Sequence, residues 1–384
     1  MSEKHRLLTA RFLLVVACGL CYFLALAMLT PVLPHYVTDQ LGWGDAAVGV
    51  AVGAFAVGAV VLRTWAGRLG DTVGRRALII GGALLVAVST LCYGLIEALW
   101  WLVAMRIVTG FGEAGFFVGA ATMITDLSPA DRRGEAVSYW SVAVYGGLSF
   151  GPALGDFLRG NGRYELTFVV SAALAFVAVA LGFFTKEVPR EEAEPRKGPL
   201  WHPAALRPGF VLFLGLMPLS AFTPLLPLYT SSTVDVSAGV VFLIYGIVIL
   251  CVRVLGARIP DNLGAKRTGV FALAFAGTGM LLISAVPTVA GLVIGTVIFG
   301  LGMSLMYPAL LLLALVGIPD SERASVVGTF SSFFDLSSGF GAIIAGAIAE
   351  LTGYRGAFLV AGVTALTGLI VLQGTARVRV RAAI

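Results

Sequence analysis

Leu62-Arg63-Thr64-Trp65-Ala66-Gly67-Arg68-Leu69-Gly70-Asp71-Thr72-Val73-Gly74-Arg75-Arg76 is the stretch that decides the fold, because the chain contains it twice. It returns in degenerate form as Val252-Arg253-Val254-Leu255-Gly256-Ala257-Arg258-Ile259-Pro260-Asp261-Asn262-Leu263-Gly264-Ala265-Lys266. The offset is 190 residues (253 − 63, 264 − 74). It persists downstream, where Gly110-x-Gly112 maps onto Gly300-x-Gly302, Pro129 onto Pro319, and Phe150-Gly151 onto Phe340-Gly341. Upstream, Thr30-Pro31-x-x-Pro34-x-Tyr36 reappears as Thr223-Pro224-x-x-Pro227-x-Tyr229 at an offset of 193 (223 − 30), which fits a shorter loop in the second copy. An offset near half of 384 residues means two tandem halves with the same internal order. Parallel repeats of this kind, in a membrane protein, place a binding site at their interface near the bilayer midplane.

The composition is that of a membrane protein. Hydrophobic residues make up 58% and charged residues 12%, against roughly 25% charged in a soluble domain, and the mean hydropathy is +0.95. A span needs about 20 apolar residues. Twelve such runs are predicted, at 12–36, 46–67, 77–97, 99–125, 135–158, 165–185, 208–232, 238–257, 269–287, 289–316, 324–350 and 356–376. The fold class expected is therefore all-α, twelve transmembrane helices in two parallel six-helix repeats. The domains are an N-terminal half (1–186), a linker (187–206) and a C-terminal half (207–384). The first run is too long for the apolar region of a cleavable signal and is expected to stay as the first helix.

Of the 26 Lys and Arg residues, Arg159, Arg163 and Arg355 fall on one side, Arg63, Arg106 and Arg253 fall within spans, and the remaining 20 fall on the other side. The positive-inside rule then puts both termini and the linker in the cytoplasm of a multi-pass cell-membrane protein. The net charge of +5 is a topology signal and needs no nucleic acid. Membrane lipid is an expected partner. The four cysteines lie inside apolar spans, where they read as small packing residues. No metal site or cofactor is expected, and no phosphate-binding Gly-rich loop is present to use ATP. Any transport must draw on a gradient or on facilitated diffusion.

Twelve spans, the 6+6 repeat and Gly67-Arg68-Leu69-Gly70-Asp71-x-x-Gly74-Arg75-Arg76 resemble the major facilitator superfamily over essentially the whole chain. The motif resembles the family's signature loop between helices 2 and 3, with its degenerate copy, including Asp261, between helices 8 and 9. Arg106-x-x-x-Gly110 resembles the family's helix-4 motif. Gly147-x-x-x-Gly151-Pro152-x-x-Gly155 resembles the helix-5 motif of proton-coupled drug exporters, although Ser138 replaces an upstream Gly and Asp156 a final one. The nearest likeness is to the twelve-helix drug:proton antiporter and sugar-efflux-like branch. The resemblance implies that helices 1, 4, 7 and 10 line a cavity. It also implies a conformational switch made of Gly67, Arg68, Asp71, Gly74, Arg75, Arg76 and Asp261, with Gly147, Gly151, Pro152 and Gly155 on helix 5. A carboxylate such as Asp71 at a helix end, beside basic residues, is suited to latch one state and release it on switching.

Ionisable residues inside a membrane are expensive and mark function. Glu113 lies near the middle of span 4 and Asp335 near the middle of span 11. Both are candidates for a coupling proton, with Arg63, Arg106 and Arg253 as available ion-pair partners. Arg106 precedes Glu113 by seven residues, about 10 Å along the axis, too far for a direct pair within the helix. The expected cavity lining is aromatic and soft: Tyr139, Tyr145, Tyr245, Met303, Tyr307 and Phe334. Asp126, Asp156 and His35 read as interfacial. The chain lacks a nucleophile constellation, so an enzyme is not expected. The function expected is secondary transport, a proton-coupled exporter of small amphiphilic molecules acting as a monomer by alternating access. The alternatives are a sugar or metabolite exporter or importer, and, from a different class, a non-transporting membrane sensor or scaffold.

Overall fold

The structure, a computed structural model, describes residues 7–95, 97–129, 132–186, 201–256 and 259–381. Within its helices the side chains of 64–68, 70–72, 133–134, 137–138, 254, 260–261, 320–321, 324 and 375–381 are not described. The described residues are helical, with no strand among them. The order is α1 (Ala10–Met28), α2 (Val32–His35), α3 (Asp45–Val73), α4 (Arg75–Leu91), α5 (Leu99–Asp126), α6 (Arg133–Arg159), α7 (Tyr164–Phe184), α8 (Pro203–Tyr229), α9 (Ala238–Leu255), α10 (Ile259–Leu263), α11 (Ala265–Ala285), α12 (Val289–Leu315) and α13 (Asp320–Arg381). Helix α13 is continuous except at Gly353, whose φ of 76° breaks it in two. Among the described residues, eight helical segments are long and apolar enough to cross a membrane. Helix α4, at 17 residues, and the apolar Ala238–Arg253 of α9 are shorter.

Only helices and closed barrels satisfy every backbone group in lipid, so a chain this apolar without strands becomes a helix bundle. Two compact units result. One comprises Met1–Trp43 and Ala54–Glu194, the other Gly44–Gly53 and Pro195–Ile384. In lipid the hydrophobic effect does not draw helices together, and close backbone approach takes its place. In the first unit, a Cβ on Gly147 would lie 2.7 Å from the Leu24 nitrogen, one on Gly151 2.6 Å from Ala27 Cβ, and one on Gly155 against the Met28 carbonyl. The glycine ladder of α6 is thus the surface on which α1 rests. Gly82 and Gly112 face each other between α4 and α5, each with its Cβ position about 2.5 Å from the other's carbonyl oxygen.

The repeat is physical as well as textual. Tyr36 donates to the Tyr93 carbonyl at 3.4 Å, and its counterpart Tyr229 donates to the Ile283 carbonyl at 3.3 Å. The two acceptors are related by the same 190 (283 − 93). Tyr36 meets Phe168 edge-on at 5.2 Å and Tyr229 meets Phe358 edge-on at 5.3 Å, again 190 apart (358 − 168). Both tyrosines lead into a π-helical turn, Tyr36–Gln40 and Thr230–Val234. Pro34 and Pro227 lack the N–H that a regular helix would use just before.

The signature segment departs from its expected form. Helix α3 continues through Gly67, Arg68 and Asp71 to Val73, so the expected loop is helical nearly to its end. Its side chains from Thr64 to Thr72, Leu69 excepted, lie outside the described ones, as does that of Asp261 on α10. The turn itself is one residue, Gly74, with φ 92° and ψ 156°. Gly264 does the same in the second copy, at 82° and 143°. That region is accessible essentially to glycine alone, which explains why this glycine survives in both copies.

Candidate functional site

Close approach of α3 to α5 builds the site. A Cβ on Gly58 would strike the Ile107 carbonyl, and one on Gly110 would strike that of Phe55. One turn further along, α3 delivers Arg63 to Glu113 of α5. Arg63 Nη2 donates to Glu113 Oε2 at 2.7 Å. The Glu113 side chain is 10% exposed and that of Arg63 25%. The guanidinium carbon lies 5.5 Å from the centre of the Phe117 ring, which follows Glu113 by one turn on α5. Of the three arginines available from the sequence, Arg63 is the one seen on Glu113. An ionised acid at the bilayer centre costs about 2.5–3.5 kcal/mol on insertion scales, and a charged partner offsets that cost.

Arg106 belongs to a neighbouring polar cluster of the same unit. It is buried, its guanidinium lies 4.7 Å from the Phe55 ring centre, and Nη1 reaches Tyr93 Oη at 3.5 Å. Tyr93 Oη and Thr109 Oγ1 are 2.5 Å apart, and Thr109 Oγ1 and Ser89 Oγ 2.9 Å. Between the clusters stands Tyr22 of α1, fully buried and stacked on Phe116 at 3.7 Å. Its hydroxyl has no hydrogen-bond partner among the described residues. Tyr139 and Tyr145, expected in the cavity, lie on α6. Tyr139 is 38% exposed and meets Phe12 edge-on, and Tyr145 is half-buried. Trp140 is the α6 residue that faces Phe117, at 6.5 Å.

The second unit carries its expected residues among aromatic neighbours. Tyr245 stacks on Phe299 at 5.3 Å, and Met303 is buried. Tyr307 shares a hydrogen bond with Ser331 at 2.9 Å and lies edge-on to Phe330 and Phe334. Asp335 is buried on α13 next to Phe334. The 190-residue offset makes the asymmetry plain: Glu113 corresponds to Met303, Arg106 to Thr296 and Thr109 to Phe299. The scaffold is duplicated and these polar side chains are not.

At the cytoplasmic ends predicted from charge, Arg75 pairs with Asp126 and Arg76 donates to the Phe183 carbonyl at 2.6 Å, tying α4 to α5 and α7. At the opposite ends, His35 and Asp39 are 3.3 Å apart, and Asp156 pairs with Arg159. Cys18 donates its thiol hydrogen to the Ala178 carbonyl, in keeping with a packing role.

The chain matches the Major Facilitator Superfamily over residues 15–319 and 237–381. It is 31% identical over 365 residues to an uncharacterised MFS-type transporter of Salmonella typhimurium, covering 91% of this chain and 92% of the relative. Its fold is similar to that of a bacterial homolog of the human lysosomal transporter Spinster, in an inward-facing and occupied conformation. That likeness has a TM-score of 0.79 at 17% identity and covers 95% of this chain and 96% of that one. It is also similar to the nucleoside transporter NupG, with a TM-score of 0.74 at 15% identity over 95% and 99% of the two chains. An all-α membrane bundle built twice, and matched end to end by transporters of one family, identifies the chain as a secondary transporter belonging to the major facilitator superfamily.

Proposed function

We propose that this transporter is a proton-coupled exporter of small amphiphilic molecules that works as a monomer by alternating access, with Glu113 carrying the coupling proton. The observation that carries the proposal is the Arg63–Glu113 pair. A carboxylate near the midplane that ion-pairs when charged, and needs no partner when neutral, has two stable states differing by one proton. Protonation removes the charge that holds Arg63 and so loosens α3 from α5. The glycine ladder of α6 on α1 supports the drug-exporter likeness, since it matches the helix-5 motif residue for residue at Gly147, Gly151 and Gly155. The aromatic and methionine surface around Tyr245, Met303, Tyr307 and Phe334 supports an amphiphilic cargo.

In this reading the two six-helix halves, 1–186 and 207–384, are joined by a cytoplasmic linker over 187–206, and both termini are cytoplasmic. Gly67, Arg68, Asp71 and Asp261 act in the switch between states, together with the ties made by Arg75 and Arg76. Asp335 is the comparison acid. Transport into sealed proteoliposomes across an imposed pH gradient, against a panel of amphiphiles, tests the proposal. Accumulation should follow the proton gradient and vanish when a protonophore collapses it. Accumulation indifferent to the gradient would remove proton coupling from the account.

A further inference from the structure

Arg63 meets Glu113 as a bound cation would. Its guanidinium has a carboxylate oxygen at 2.7 Å and an aromatic face at 5.5 Å. Carboxylate and ring are both supplied by α5, at Glu113 and Phe117, one helical turn apart. Such a pair is a receptor for a positively charged nitrogen: the carboxylate neutralises it and the ring quadrupole attracts it. The occupant is a side chain of the neighbouring helix, and it is the more exposed of the two partners, 25% against 10%. It is thus the partner with more room to move away while Glu113 stays.

We propose that Arg63 is a tethered cation that sets the specificity of the Glu113 site, keeping sodium and small organic ammonium or guanidinium ions off the carboxylate while yielding it to a proton. The inference rests on the reading of Glu113 as the proton carrier. A tethered group competes at its own effective concentration, of millimolar order for a short flexible link, so a free cation must exceed it to displace it. The proton escapes that competition. It forms an O–H bond on the carboxyl group and abolishes the charge that holds the guanidinium. The step balances simply: hydronium gives its proton to Glu113, one O–H bond breaking as the carboxyl O–H forms, water leaves, the Arg63–Glu113 ion pair is released, and Arg63 remains protonated throughout. Among the described residues, the ionisable groups near Glu113 include Tyr22 of α1, buried and stacked on Phe116, and the Arg106–Tyr93 cluster two turns earlier on α5.

The test is binding of phenylguanidinium to the purified full chain, measured by calorimetry for wild type, Arg63→Gln, Arg63→Lys, Glu113→Gln and the Arg63→Gln/Glu113→Gln double variant. Arg63→Gln should bind the probe at least about tenfold more tightly than wild type, a change of about 1.4 kcal/mol. Sodium should compete in that variant and not in wild type, lowering the pH should weaken the gain, and the double variant should lose it. Arg63→Lys, which keeps the charge but not the planar fork, should fall between the two and covers the case in which Arg63→Gln does not fold. A gain that survives in the double variant, or no gain in either Arg63 variant, overturns the tether. If no gain appears while Glu113→Gln abolishes pH-driven transport, the tether fails and the proton reading stands. If Glu113→Gln keeps full pH-driven transport, both fall.

Discussion

Position 113 carries a carboxylate where the second copy carries Met303, and on that difference rests the proposal that the coupling proton belongs to the first half. The depth of Glu113 along its helix was legible in the sequence, because rise per residue is fixed. Its partner was not, because three arginines were available and a sequence does not fix the rotation of one helix about its neighbour. The same limit applies to α6, where packing and not sequence determines that Trp140 is turned toward Phe117. Tyr93 joins the buried Arg106 to Thr109, so Tyr93→Phe leaves polar groups short of a partner. It should cost about 1–3 kcal/mol, seen as a lower apparent Tm of the purified protein. An unchanged Tm would mean that the hydroxyl network is not holding α4 to α5.

Apolar runs locate helices well: each run overlaps a helix, and the last two share α13, broken at Gly353. The signature segment, a loop in the family it resembles, is helical to Val73, where the positive φ of Gly74 ends α3. Gly74→Ala and Gly264→Ala should each destabilise by about 1–3 kcal/mol through backbone strain alone, and the paired loss should be similar because the two turns share one conformation. A thermal shift for one and none for the other would break that equivalence. Gly151→Leu places a side chain where Ala27 of α1 already lies. It should separate α1 from α6, lowering the apparent Tm and slowing turnover more than it weakens substrate binding. Normal transport by Gly151→Leu would show that this contact is dispensable.

At the scale of the molecule, duplication explains both what was legible and what was not. The 190-residue repeat is read as two halves with the same internal order, and Tyr36 and Tyr229 donate equivalent hydrogen bonds. Symmetry of the scaffold says nothing of the cargo, which depends on side chains the two copies do not share. Orientation rests on the basic residues. On a cysteine-free background, cysteine at Arg196 should be labelled from the cytoplasm alone and cysteine at Asn161 from outside alone; labelling of both from one side would reverse or dissolve that topology.

The central claim, that Glu113 carries the coupling proton, is tested most directly by comparing Glu113→Gln with Asp335→Asn in proteoliposomes under an imposed pH gradient. Glutamine mimics the permanently protonated acid. Glu113→Gln should therefore exchange substrate across the membrane at equilibrium yet lose accumulation driven by the gradient, while Asp335→Asn retains it. Full gradient-driven accumulation by Glu113→Gln would contradict the account, and its loss in Asp335→Asn alone would move the proton to α13.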